Sequence, residues 1–227
     1  MEKRGTKNIS VGHDLDKFNY EDLLKWNKEW VRDTLDEDPE YFKKLSQGQS
    51  PPILWIGCAD SRVPANQITG TNPGDIFVHR NIANMVIHTD MNMLSVLDYA
   101  VAVLRVKHVI VCGHYGCGGV LAAMSHKQFG LIDNWLRHIK DVYRTYSNEL
   151  DSIEDEAERG KRLVELNVNE NVYNLCKTST IQNAWKSGQE LHVHGWVYSL
   201  ETGIINDLKV SFNSDEKLGG VFRFENK

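Results

Sequence analysis

Short apolar runs alternate with longer amphipathic segments along most of this chain. Four runs have the length and β-branched content of buried strands and are bounded by glycine, proline or asparagine. They are residues 53–57, 75–80, 107–111 and 191–199. A turn at 201–203 follows the fourth run, so residues 204–212 are predicted to pair with it as an antiparallel edge strand. The intervening segments are long enough for the crossovers that parallel strands require.

Apolar residues at helical spacing predict helices between these strands. The first helix begins after the N-cap Asn19 and runs to about Asp36, and Asp38-Pro39 begins a short second helix. Further helices are predicted near residues 92–104, 121–124, 135–143, 154–175 and 180–186. The pattern therefore predicts an α/β fold, in which a mostly parallel central sheet of about four strands plus an antiparallel edge strand is flanked by helices.

The length of 227 residues is typical of one domain. No internal repeat or linker interrupts the pattern, so a single domain is predicted over 1–227. Its parts are an N-terminal helical arm at 1–47, an α/β core at 48–213 and a C-terminal tail at 214–227. The amphipathic N-terminal helix could instead pack on a second subunit as a dimer arm.

Charge and composition exclude several kinds of partner. The net charge is -5 and lysine and arginine are not clustered, which argues against a nucleic-acid surface. No apolar run is long enough to span a membrane, so a soluble protein without membrane contact is expected. The N-terminus shows no secretion or transit signal, and four cysteines in a chain of this length fit a reduced compartment. We therefore expect a cytoplasmic protein.

Three side chains that can bind a metal follow two of the predicted strands. Cys58 ends the first run, and His114 and Cys117 lie in a glycine-rich turn after the third. Because ligands bind outside the carboxyl ends of parallel strands, we expect these three residues to meet there. Cysteine and histidine are zinc ligands, and three of them leave a fourth position open for catalysis. The alternative for a lone cysteine is a place in the core, which is the prediction for Cys112.

Asp60 and Arg62 follow Cys58 in the same loop and are spaced to pair with each other. One interpretation is an ion pair that only stabilises the loop. The other is that Arg62 keeps Asp60 anionic, so that Asp60 accepts a hydrogen bond from whatever occupies the open position on zinc.

Water on a zinc ion with these ligands would ionise near a pH of roughly 7, and the resulting hydroxide could attack carbon dioxide, an ester, an amidine or a phosphate. No glycine-rich phosphate loop, lysine-rich channel or general-acid glutamate accompanies the site. Phe77 and Tyr99 are among the apolar side chains expected near the strand ends, so a small uncharged electrophile is favoured. Another zinc hydrolase, or a structural or sensory zinc module whose fourth position Asp60 closes, stays open as an alternative.

Four motifs closely resemble those of the β-class carbonic anhydrases, and the resemblance extends from about Trp26 to Leu208. The motifs are Cys58-Ala59-Asp60-Ser61-Arg62-Val63-Pro64, Arg80-Asn81-Ile82-Ala83-Asn84, Cys112-Gly113-His114-Tyr115-Gly116-Cys117-Gly118-Gly119 and His194-Gly195-Trp196-Val197-Tyr198. The resemblance implies reversible hydration of carbon dioxide to bicarbonate and a proton by one zinc ion per chain.

The resemblance also assigns residues by position. It implies that Cys58, His114 and Cys117 are the zinc ligands and that Asp60 and Arg62 form the catalytic dyad. The family's substrate pocket corresponds to Gln49, Phe77, Tyr99 and Gly118 in this chain. Part of that pocket comes from the neighbouring subunit in the family, which implies a homodimer or a tetramer built as a dimer of dimers.

One branch of this family is regulated by bicarbonate at a separate pocket. The corresponding residues here are Trp55, Arg80 and Tyr198. In that branch the aspartate of the dyad becomes the fourth zinc ligand at low pH and stops catalysis. The resemblance therefore implies inhibition by bicarbonate and by acid, whereas an ordinary core role is the alternative for Trp55 and a structural role for the other two.

Overall fold

The computed structural model describes residues 19–225 and divides the chain into two compact units, Met1–Gly48 and Gln49–Lys227. Residues 1–18 of the predicted arm and the last two residues of the predicted tail lie outside the described residues. The interpretation of 1–227 as one domain with an arm, a core and a tail stays a prediction.

Two helices lie in the described part of the first unit, residues 19–48. Helix α1 spans Tyr20–Glu37 and begins after the predicted N-cap Asn19, which forms a capping box with Asp22. Helix α2 spans Tyr41–Leu45 and begins two residues later than predicted, because Asp38 caps the turn at Glu40 instead of the helix itself.

The second unit is built on five strands in the spatial order β2-β1-β3-β4-β5. The first four are parallel, and β5 runs antiparallel to β4, which confirms the predicted sheet. The strands are β1 Ile53–Cys58, β2 Ile76–Asn81, β3 His108–His114, β4 His192–Tyr198 and β5 Ile205–Phe212.

Strand β3 is longer than the sequence predicts. It continues through Cys112 and Gly113 to His114, so the expectation that His114 lies in a turn is wrong. Gly113 and His114 pair with Val197 and Tyr198 of β4, which extends the ladder. A Cβ on Gly113 would lie 2.7 Å from a methyl group of Val168, so glycine allows close packing at this position and does not end the strand.

The second unit also contains the helices that connect the strands. They are α3 Ala65–Thr69, α4 Met91–Asp98, α5 Gly118–Met124, α6 Asp133–Thr145, α7 Ser147–Asp151, α8 Glu156–Cys176 and α9 Ser179–Lys186. A π-helical turn, Tyr99–Val103, follows α4, and 3₁₀ turns occupy Ile82–Asn84 and Gly220–Phe222. The sequence pattern does not predict α3 or α7, which are five residues long and have no side-chain cap at the N-terminus.

Alternate residues of the strands enter two different apolar clusters. Leu54 and Ile56 of β1 belong to the large core, which includes residues of the helices from α4 to α9. Trp55 points to the other face, where the smaller cluster takes Ala65 and Ile68 from α3 and residues of no other helix in the described part of the chain. One face of the sheet is therefore only lightly covered within this unit.

The strand order places a topological switch point between β1 and β3. From β1 the chain passes to β2 on one side, and then crosses to β3 on the other side. Ligands bind at the carboxyl ends of strands at such a point. Gly57 pairs with Cys112, so Cys58 and His114 end adjacent strands there. None of the helices in residues 19–225 is both long and apolar enough to cross a membrane.

Candidate metal centre

Cys58, His114 and Cys117 meet at the carboxyl end of the sheet, and all three are buried. One ligand atom from each lies within 4.8 Å of the others. The two sulfur atoms are 3.9 Å apart. Two sulfurs that share a tetrahedral zinc ion with bonds of about 2.3 Å lie about 3.8 Å apart, so the spacing fits zinc.

The His114 ring is oriented for coordination through Nε2. Its Nδ1 donates a hydrogen bond to the backbone oxygen of Tyr115 at 3.2 Å. Nε2 is buried and has no hydrogen-bond partner among residues 19–225. A buried nitrogen without a partner is costly, and a hydrogen bond from the other ring nitrogen to a backbone oxygen is a usual arrangement for a metal-bound histidine.

Backbone N–H groups surround both sulfurs. The Cys58 sulfur accepts hydrogen bonds from the N–H groups of Asp60 and Ala83, and the Cys117 sulfur accepts them from Gly119 and Val120 at the start of α5. The hydrogen bond from the Cys117 thiol lowers the pKa of Cys58. The same hydrogen bond raises the pKa of Cys117, and burial and the negative charge on Cys58 raise it further. A divalent cation would allow both to be thiolates, whereas burial raises the pKa of Cys112 and keeps it a thiol.

Asp60 and Arg62 form the ion pair that their spacing predicts. Oδ1 of Asp60 accepts hydrogen bonds from the backbone N and from Nε of Arg62, both at 2.9 Å, and Oδ2 accepts one from Nη2 at 2.7 Å. The Arg62 guanidinium holds the pKa of Asp60 well below its usual range, so Asp60 is a carboxylate. Its Oδ2 lies 3.7 Å from Nε2 of His114 and therefore faces the position a metal would take.

Arg80, on the neighbouring strand β2, is hydrogen-bonded to the loop that carries Asp60. Its guanidinium donates hydrogen bonds to the backbone oxygens of Cys58 and Asp60. These contacts fix the backbone on both sides of Ala59. Arg80 therefore connects β2 to the loop that carries Asp60.

The residues matched to the substrate pocket do not all lie at this end of the sheet. Phe77 and Tyr99 contact each other, with ring centroids 5.9 Å apart, but Phe77 pairs with Leu54 near the start of β1. It lies four residues before the level of Cys58, which is roughly 13 Å along the strand. The expectation that Phe77 and Tyr99 lie near the strand ends with the metal ligands is therefore wrong within one chain.

The other two pocket positions differ in their surroundings. Gly118 follows Cys117 directly, and no atom lies within 4 Å of where its Cβ would be, so there is open space beside the candidate ligand. Gln49 is exposed and precedes β1.

Trp55, Arg80 and Tyr198 lie on the same face of the sheet. Arg80 pairs with Gly57, two residues after Trp55, and Tyr198 follows Trp196 by two. Trp55 is buried in the smaller cluster, where it contacts Trp196 edge to face and where Tyr198 also packs.

Sequence reasoning missed the residues behind the metal ligands. Asn167, Asn171 and Asn174 are spaced at i, i+4 and i+7 on α8, and their side chains hydrogen-bond to backbone groups of Ala83 and Val86. Three asparagines on the mostly apolar face of a helix whose other face is charged are the signal that could have found them.

Comparison with known proteins agrees with this site. A family model described as carbonic anhydrase matches residues 53–205. A carbonic anhydrase from Emericella nidulans is 49% identical over 193 residues, which is 85% of each chain.

Solved structures agree as well. A tetrameric β-carbonic anhydrase from Sordaria macrospora superposes with a TM-score of 0.82 at 43% identity, over 85% of this chain and 98% of that one. A Coccomyxa β-carbonic anhydrase in complex with acetazolamide gives 0.82 at 36% identity, over 87% and 90%. The chain belongs to the β-class carbonic anhydrases and is an enzyme of that family.

Proposed function

We propose that this enzyme uses one zinc ion per chain to hydrate carbon dioxide reversibly to bicarbonate and a proton. The observation that carries the proposal is the buried group of Cys58, His114 and Cys117, with Asp60 facing it. When bound, zinc would lower the pKa of a coordinated water to about 7 and supply a nucleophile at neutral pH. Stopped-flow measurement of carbon dioxide hydration across pH tests the activity, and zinc-loaded protein with no hydration at any pH would contradict it.

The chain's own residues would orient and admit the reactants. Asp60 is ionised and accepts hydrogen bonds, so its Oδ2 can orient the attacking group. Arg62 keeps that carboxylate charged and fixed. The open space beside Gly118 leaves room for a small substrate next to Cys117.

We expect Cys58→Ser to lower the zinc content of the purified protein from about one ion per chain to well below one, because a serine hydroxyl does not ionise and is a poor zinc ligand. Atomic emission measures the zinc. Cys112→Ser is the matched control: Cys112 is also a buried strand cysteine but lies outside the ligand group, so its zinc content should not change. A Cys58→Ser protein that keeps its zinc would remove Cys58 from the ligand set.

We expect Asp60→Asn to reduce kcat for hydration by about a hundredfold or more while zinc stays bound, because the amide cannot replace the oriented carboxylate. Asp207→Asn is the matched control. Asp207 accepts hydrogen bonds from the backbone and side chain of Lys209, two residues on, as Asp60 does from Arg62, but it lies on the edge strand β5. Equal rates for Asp60→Asn and wild type would show that the Asp60–Arg62 pair only stabilises the loop.

We propose that the enzyme works as a homodimer or as a dimer of dimers, with Phe77 and Tyr99 contributing to the pocket of a second copy. Two observations support this: the ring pair lies far from the metal centre of its own chain, and the smaller apolar cluster receives few residues from helices of its own unit. The solved relative from Sordaria macrospora is tetrameric. Sedimentation equilibrium should give a mass of two or four chains, and a monomer at micromolar concentration would contradict the proposal.

We also propose that bicarbonate and low pH inhibit the enzyme through Trp55, Arg80 and Tyr198. Their common face and the hydrogen bonds from Arg80 to the loop of Asp60 support it, because a ligand that moved Arg80 would disturb that loop. Asp60 could then leave Arg62 for the fourth metal position.

Regulation predicts that activity rises with pH more steeply than a single-proton titration and that bicarbonate inhibits. We expect Trp55→Phe to weaken inhibition by bicarbonate, measured as its inhibition constant in the hydration assay. Trp196→Phe is the control, since Trp196 contacts Trp55 in the same cluster but is not among the three residues. A single-proton pH profile that is the same in wild type and Trp55→Phe would argue against regulation.

A cytoplasmic location stays a prediction. None of the four cysteines forms a disulfide bond, which supports a reducing compartment.

A further inference from the structure

The backbone of residues 82–86 lies beside the metal centre in a conformation that needs support. Ala83 lies in the same buried cluster as Cys58, two residues after Asn81, which pairs with Cys58 in the sheet. Its N–H group is a hydrogen-bond donor to the Cys58 sulfur. Ala83 and Asn84 both have positive φ angles, 60° and 49°. Asparagine adopts this left-handed conformation more readily than other residues with a Cβ, so Ala83 is the position that its surroundings must fix.

Side chains from outside residues 82–86 supply that support. Nδ2 of Asn167 donates to the oxygen of Ala83 at 3.1 Å. Oδ1 of Asn171 accepts from the N–H of Val86 at 2.5 Å. Trp135 Nε1 donates to the oxygen of Ile82 at 2.8 Å. The residue that carries the N–H for Cys58 is thus held through its own carbonyl by α8.

Asn167 and Asn171 also orient each other. Nδ2 of Asn171 donates to the backbone oxygen of Asn167 at 2.7 Å and lies 3.2 Å from its side-chain oxygen. Both residues are buried, at 1% and 0% exposure, between apolar residues of α8 such as Val168. Burying two amides is costly unless they are hydrogen-bonded, and an apolar pair would pack here without that cost. Packing alone therefore does not explain them.

We propose that Asn167 and Asn171 are positioning residues for the metal centre, holding Ala83 in its left-handed conformation so that its N–H orients the Cys58 sulfur. The proposal rests on the proposed zinc function. Without Asn167, the oxygen of Ala83 has no donor from α8, so the backbone after Ala83 is free to return to a negative φ. Trp135 still holds the oxygen of Ile82 in the planar peptide unit that carries the Ala83 N–H, so we expect the hydrogen bond to the sulfur to weaken as the loop relaxes. Groups that orient a metal ligand from behind change metal affinity by about tenfold to a hundredfold.

Zinc affinity of the full chain tests this inference. We expect Asn167→Leu, which keeps a similar volume but cannot donate, to raise the zinc Kd by about tenfold or more in competition with a chromogenic chelator. The thiolate-to-metal absorption band of the cobalt-substituted protein should shift as well, since the hydrogen bond to the sulfur weakens. Asn167→Ser carries the same expectation if the leucine variant does not fold.

Asn174→Leu is the matched control. Asn174 donates to the oxygen of Val86 at 3.3 Å from the same helix face, but it does not contact Ala83. Its variant should lose a comparable loop hydrogen bond and keep the wild-type zinc Kd and cobalt spectrum. Equal changes in the two leucine variants, or no change in Asn167→Leu, would overturn the positioning role. A wild-type chain that binds no zinc would overturn the zinc centre itself, and this inference with it.

Discussion

The fold places two cysteine sulfurs 3.9 Å apart in a buried pocket, and repulsion between their negative charges is its main electrostatic constraint. Two thiolates at that distance repel each other strongly where water is excluded, so both are charged only with a cation between them. Backbone N–H groups donate to the two sulfurs. His114, whose Nε2 has no hydrogen-bond partner among residues 19–225, places a ring nitrogen within 4.8 Å of both sulfurs. With a divalent ion bound, both sulfurs can carry a negative charge, whereas without the ion only one of them can.

The sheet topology explains how residues far apart in sequence reach that point. Cys58 and His114 end adjacent parallel strands at the switch point, and Cys117 follows at the start of α5. The same topology places most helices of the unit on one face of the sheet. A catalytic edge and a lightly covered apolar face therefore arise from one arrangement of crossovers.

The strands and the ligand group could be predicted because both depend on local patterns. Apolar runs bounded by turn residues predict strands, and parallel order places their carboxyl ends together. The end of β3 was missed because Gly113 suggests a turn, whereas in the structure it makes room for Val168. The place of Phe77 depends on strand register, and apolar spacing carries no information about register between distant strands.

The residue that holds the Ala83 backbone beside Cys58 lies much later in the sequence. Asn167 lies 84 residues beyond Ala83, and its amide reaches that carbonyl only when α8 rests on the sheet. The hydrogen bond from Ala83 to the sulfur is consequently a property of the assembled unit. A fragment that contained both Cys58 and Ala83 but ended before α8 would have the donor and the acceptor of this hydrogen bond. It would not have the helix that positions them. The hydrogen bond therefore depends on a contact between distant parts of the sequence, and such contacts form late in folding.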